Sequence, residues 1–178
     1  MNDDPLIARA QQGDAEAYDA LVSEYLRRVV AIAFSIVRNA HDAEDLAQEA
    51  FVKAYQSIGR FRAGAAFGPW IGRIVTNLAL DVVRHRTKFR HETIDDTQRA
   101  TRRDDAELPA LQHDLASRID AALDELPEMQ RIVARLHLVE EMEHAEIAAL
   151  LDLSDGTVRS HLSHARTKLK TKLADLYD

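Results

Sequence analysis

Several groups of side chains in this chain have types and spacings that suit chemistry. The carboxylates Asp42, Glu44, Asp45 and Glu49 stand close together with Gln48 among them. At about 100° per residue, Asp42, Asp45 and Glu49 share one side of a helix. Such a face either docks a basic partner or stabilises the helix start through its dipole. Residues 60–69 form a Gly-containing loop in which Phe61 and Phe67 lie among Arg60 and Arg62, followed by Trp70 and Arg73. Aromatics interleaved with Arg suit the stacking of unpaired bases; the alternative is that the rings belong to the core. Trp70, Ile74, Asn77, Asp81 and Arg84 then recur in helical register, and Arg84, Arg86, Lys88 and Arg90 extend a positive end. Near the C-terminus, residues 156–172 carry five Lys/Arg and no acid. There Thr157, Arg159, Ser160, Ser163, His164, Thr167 and Lys170 fall opposite an apolar stripe. They are donors suited to phosphates and base edges, with His161 and Lys168 flanking them.

The eight histidines invite a metal, but the spacing does not support one. Di-iron bundles use two Glu-x-x-His motifs on facing helices. This chain has one, Glu141-x-x-His144, while His161-x-x-His164 lacks a nearby acid. With no cysteine there is no disulfide framework, thiolate zinc site or cysteine nucleophile. We expect no cofactor, no metal and no catalytic group.

The elements that must position these groups are helical nearly throughout. Leu6, Ile7 and Ala10 predict a short helix that stops at Gly13, and Asp14 suits the N-cap of the next. Tyr18, Leu21, Val22, Tyr25, Val29, Ile32, Ala33 and Ile36 carry that second helix, with Asn39 suited to its end. Asp42 is expected to cap a third helix, buried through Ala43, Leu46, Ala47, Ala50, Ala54 and Ile58 and ended by Gly59. Pro69 suits the first turn of a fourth, which buries Ile71, Ile74, Val75, Leu78 and Val82. Residues 91–114 are polar, charged and aperiodic, as in an interdomain linker. Helical pattern resumes with Leu115, Ile119, Ala122 and Leu123, and Pro127 opens a helix carrying Ile132, Val133 and Leu136. Finally, Ile147, Ala148 and Leu151, the turn Asp152-Leu153-Ser154, and the stripe Val158, Leu162, Ala165, Leu169 and Leu173 describe a tight helix pair capped by Ser154. Its second helix, exposed and basic, fits a helix-turn-helix reader in the major groove. The expected fold is therefore all-α: two helical domains, residues 1–92 and 115–178, joined by a flexible linker over 93–114.

Composition agrees with a folded, core-forming chain: 46% apolar, 30% charged, few Gly and Pro. No apolar run approaches the ~20 residues of a membrane span, and the acidic start lacks a signal-peptide pattern. We expect a cytoplasmic protein with no membrane insertion. The net charge of −7 argues at first against nucleic acid. Its distribution argues the other way, because residues 59–90 carry seven Lys/Arg and one acid, and residues 156–172 are acid-free. Local potential, more than total charge, governs polyanion binding.

An ordered set of motifs carries a resemblance. Asp42-Ala-Glu-Asp-Leu-Ala-Gln-Glu-Ala-Phe51 is followed by Phe67-x-x-Trp70-x-x-x-Ile74-x-x-Asn77-x-x-x-Asp81-x-x-Arg84. Leu126-Pro127-x-x-x-Arg131, Glu146-Ile147-Ala148 and Gly156-Thr157-Val158-Arg159-Ser160 come next. Together they resemble the extracytoplasmic-function group of the bacterial sigma-70 family, over nearly the whole chain. The resemblance implies a docking surface for the β′ clamp helices of RNA polymerase at Asp42, Glu44, Asp45, Gln48 and Glu49. It implies −10 recognition and melting, with a flipped base held, at Arg60, Phe61, Arg62, Phe67, Trp70, Arg73, Asn77, Arg84 and Lys88. It implies −35 recognition at Thr157, Arg159, Ser160, His161, Ser163, His164, Arg166 and Lys168. The implied partners are core polymerase (β′ clamp helices and β flap), promoter DNA and an anti-sigma factor.

The chain departs from the family pattern in three places. Glu141 and Glu143 stand where Gly and Ser usually precede the first reader helix. His161 and His164 replace residues that are Arg in many members, and Gly68-Pro69 precedes Trp70. The rival readings are a helix-turn-helix transcriptional regulator and a sigma-like decoy that binds an anti-sigma factor without polymerase.

Overall fold

The computed structural model describes residues 3–62, 64–92 and 110–174. Among them are eight α-helices and no strand: α1 (Asp4–Gln11), α2 (Ala15–Val37), α3 (Ala40–Ser57), α4 (Phe67–Glu92), α5 (Ala110–Asp124), α6 (Glu128–Leu138), α7 (His144–Leu151) and α8 (Asp155–Lys172), with a 3-10 turn at Ile58–Arg60. The chain divides into two compact units, residues 1–102 and 103–178. The centre of the expected linker lies outside the described residues. Its C-terminal edge does not match the structure, because α5 already starts at Ala110.

In the first unit α2 is the central element, packed against α1, α3 and α4. Leu21, Val29, Ile32 and Ile36 face the core from α2. Opposite them α3 offers Ala43, Ala47, Ala50 and Ala54, all without exposed surface. A row of alanines lets the helix axes approach closely, so α4 is drawn in against both neighbours. That close approach sets the phase of α4. The buried row is Phe67, Ile71, Val75, Ala79 and Val83, an i, i+4 series, whereas the expected Ile74, Leu78 and Val82 sit half-buried at its rim.

The helix ends follow local chemistry. The Asp14 carboxylate accepts from the Ala17 N–H at 3.1 Å and from Arg9 Nε at 2.8 Å, which caps α2 as expected. The next junction differs from the sequence reading. Arg38, not Asn39, ends α2, in the left-handed conformation at φ 59° with its guanidinium 4.7 Å from the Phe34 ring. Asn39 is extended, and its side chain accepts from the Asp42 N–H at 3.0 Å. It therefore caps α3, and Asp42 lies in the first turn of the helix, not at its cap.

In the second unit Leu123, Leu126, Ala134 and Ala165 form a core with Ile119 and Leu169 packed on it. Ile132, Val133, Leu136, Ile147 and Val158 are fully buried around it. Arg135, 2% exposed, is embedded among them. Its guanidinium reaches Asp120 Oδ1 at 2.7 Å and Asp124 Oδ1 at 2.9 Å and so ties α6 to α5.

Candidate nucleic-acid interface

The C-terminal helix pair is built by its turns. Glu141 takes the left-handed conformation that Gly usually supplies, at φ 54°, and the Met142 N–H donates to the Leu136 carbonyl at 3.0 Å. The Glu143 N–H donates to the Glu146 carboxylate at 3.1 Å, which closes the start of α7 without a Ser. Asp152 turns the chain again at φ 57°, and Ser154 Oγ accepts from the Thr157 N–H at 3.1 Å to start α8. Val158, Leu162 and Ala165 point into the core. Arg159, Ser160, Ser163, His164, Arg166 and Lys168 are exposed, and Thr157 and His161 are half-buried at the margins of the face. The Thr157 hydroxyl also hydrogen-bonds Ser154 Oγ at 2.8 Å, so part of its capacity belongs to the cap.

In the first unit the loop aromatics divide by burial. Phe67 has no exposed surface and Phe61 is 7% exposed. Both rings sit in the apolar interior that α4 covers, the core alternative that the sequence left open for them. Trp70 is half-buried and packs on them, with ring centroids 4.8 Å from Phe61 and 5.6 Å from Phe67. Tyr25 closes the cluster at 5.3 Å from Phe67. Its hydroxyl donates to the Asp3 carboxylate. Burial, with that bond, pushes the phenol up to about 12. Gly68 is required here: a Cβ on it would lie 2.8 Å from a Tyr25 ring carbon.

Trp70, Arg73, Asn77, Arg84 and Lys88 share one face of α4, and the last four are exposed. Asp81 lies on the same face and pairs with Arg84 at 3.0 Å. Arg60 and Arg62, at the start of the loop that leads to Trp70, are exposed. A half-exposed indole on a buried aromatic base, next to cationic and amide groups, can stack an unpaired base while the charges hold its backbone.

On α3, Glu44, Asp45, Gln48 and Glu49 are exposed. Asp45 stands 3.7 Å from His41 and Glu49 3.1 Å from Lys53. Asp42 departs from this group. Its carboxylate is taken by Arg86 of α4 at 2.6 Å, in a partly buried pair. In the free chain this carboxylate is therefore engaged within the fold, where α4 crosses the start of α3. Sequence reasoning also missed Gln11, Tyr25 and Arg135 as organising residues, since their partners lie 11 to 50 positions away. Among the described residues no cluster of three or more His, Asp or Glu is placed to hold a metal ion, and no helix is long and apolar enough to cross a membrane.

The sigma-70 region 2 family model matches residues 21–89, and the sigma-70 region 4 model matches residues 116–169. The chain is 36% identical, over 94% of its length, to the extracytoplasmic-function (ECF) RNA polymerase sigma factor SigE of Mycolicibacterium smegmatis, of which it spans 65%. It is 30% identical to the ECF sigma factor SigW of Bacillus subtilis, with 96% of both chains covered. Among solved structures, CnrH in complex with the cytosolic domain of CnrY superposes with a TM-score of 0.69 at 26% identity, covering 97% of both chains. The protein belongs to the ECF sigma factors of the sigma-70 family.

Proposed function

We propose that this chain binds core RNA polymerase, directs it to specific promoters and helps open the DNA there, as a non-catalytic initiation factor working in the cytoplasm. In this reading Glu44, Asp45, Gln48 and Glu49 dock on the β′ clamp helices. Trp70, with Arg60, Arg62, Arg73, Asn77, Arg84 and Lys88, recognises and melts the −10 element. Arg159, Ser160, Ser163, His164, Arg166 and Lys168, with Thr157 and His161 at the edges, read the −35 duplex. The β flap would contact the second unit, and an anti-sigma factor would hold the chain inactive; the relative CnrH, bound to the cytosolic domain of CnrY, supports such a protein partner.

The observation that carries this reading is Trp70. Its indole is half-exposed over the buried pair Phe61 and Phe67, in line with the exposed row of α4. A duplex-reading regulator needs only the helix-turn-helix; a stacking platform serves unpaired strands. The test is transcription and strand opening with purified chain and core polymerase on promoter DNA. Core-dependent opening at a defined sequence supports the proposal. Duplex binding that never leads to opening identifies a regulator, and core polymerase left unbound identifies a decoy.

A further inference from the structure

The loop that leads to Trp70 is held at its start by the first helix and at its far end by Tyr25 of α2, which is itself bonded to the residue ahead of α1. The Gln11 side chain, from the last position of α1, donates one amide hydrogen to the Ile58 carbonyl and one to the Phe61 carbonyl, each at 3.0 Å. A carboxamide has two N–H donors, and both are used here. The Phe61 N–H also donates to the Ile58 carbonyl at 3.0 Å, so Gln11 clasps a turn that is already closing. These are the carbonyls on either side of Gly59 and Arg60, where the basic loop begins. At the far end of the loop, Asp3, just ahead of α1, accepts from the Tyr25 hydroxyl, and the Tyr25 ring lies against Gly68 and Phe67. Phe61 and Phe67, one at each tether, are the rings on which Trp70 rests.

We propose that α1 is a brace that pre-organises the strand-opening loop, with Gln11 as the positioning residue that fixes Phe61 and, through it, the Trp70 indole. This deepens the function proposed above. An unbraced loop must be ordered each time it meets unpaired DNA, and that entropy opposes opening without opposing duplex binding. The α1 helix thus acts on melting from outside the DNA-facing row.

The test uses the full chain and compares Gln11→Met, Gln11→Glu and Gln11→Lys. Glu matches Gln in size but sets a carboxylate against two carbonyl oxygens, Met fills the space without donating, and Lys restores donors. Donation predicts Lys nearest to the natural protein, then Met, with Glu worst; a space-filling role predicts Glu best. Trp70 is the only tryptophan, so its fluorescence reports on the loop without polymerase. We expect acrylamide quenching of Trp70 to increase about two-fold in Gln11→Met, with core polymerase binding unchanged and opening of a fully duplex promoter slowed about ten-fold. A promoter opened beforehand over the −10 element should restore most of the activity. Quenching equal to that of the natural protein, or equal losses on duplex and pre-opened promoters, would overturn the brace. Failure of the natural protein itself to open a promoter would instead sink the function proposed above, while the quenching series would still judge the tether.

Discussion

Arg86 of α4 reaches across to Asp42 in the first turn of α3, with Nη2 2.6 Å from Oδ2. The two side chains are about one-third exposed, between a surface pair and a buried one. Asp42 therefore contributes to the packing of α3 on α4, while Asp45 and Glu49 remain on the outside. We expect Asp42→Asn to lower stability by about 1 kcal/mol, measured by urea unfolding, and to leave polymerase binding close to normal. Asp45→Lys with Glu49→Lys should do the reverse: an unchanged melting temperature and a loss of core polymerase binding by several kcal/mol. Normal binding in that double variant would remove the acidic face from the docking surface.

Phe67 and Trp70 should separate in the same way. Phe67→Ala empties a fully buried site and is expected to destabilise the first unit by about 3–5 kcal/mol. Trp70→Ala should keep the fold and lose about 1–3 kcal/mol in open-complex stability, the worth of one stacked base. A calorimetric scan beside a strand-opening assay checks both. A Trp70→Ala chain that opens promoters normally would contradict the platform.

On α8 the expected contributions differ by residue type. Arg159→Ala should cost about 1–3 kcal/mol and relax sequence preference, as for a side chain that meets a guanine edge. His161→Ala with His164→Ala should weaken duplex binding, because imidazoles can hydrogen-bond phosphates and base edges. Unchanged affinity in that double variant would leave Arg159, Arg166 and Lys168 as the working charges.

Tyr18 gives a signature at alkaline pH. Its hydroxyl donates to the Phe51 carbonyl, and burial pushes the phenol up to about 12. An unfolded tyrosine loses its proton near pH ~10, so above that the unfolded chain binds fewer protons than the folded one. Stability contributed by the neutral phenol is complete below pH ~10 and declines as pH rises toward ~12, by up to about 1.4 kcal/mol per pH unit. Urea midpoints across that window should fall less steeply in Tyr18→Phe. Equal slopes would place the alkaline transition elsewhere; Tyr25, raised similarly, is the next residue to substitute.

Local chemistry was legible in the residues. Asp14 and Ser154 cap the helices they precede, Pro127 opens α6, and the stripe Val158, Leu162 and Ala165 is buried as its spacing demands. What resisted reading was set by neighbours. The phase of α4 depends on where the alanines of α3 let it approach, and Ile74 against Ala79 cannot be ranked from hydropathy alone. Nothing in the sequence separates Arg135 from a helix-surface arginine, yet it is clamped by Asp120 and Asp124 of another helix. Phe61 and Phe67 illustrate the same point for the site. Aromatic rings among arginines fit either a nucleic-acid platform or a core, and only packing assigned the rings to the core and left Trp70 at its edge.

Charge is segregated along the second unit: residues 116–154 carry nine acids against three Lys/Arg, whereas α8 beyond its first residue, Asp155, carries five Lys/Arg and no acid. In the proposed role that contrast acts as an orientation filter. At physiological salt its reach is about 8 Å, so it operates only in the last approach to a duplex. A collision through α5 to α7 is repelled, and one led by α8 is retained. The free protein should consequently dwell little on random DNA, and its search for promoters would run at the pace of the polymerase that carries it.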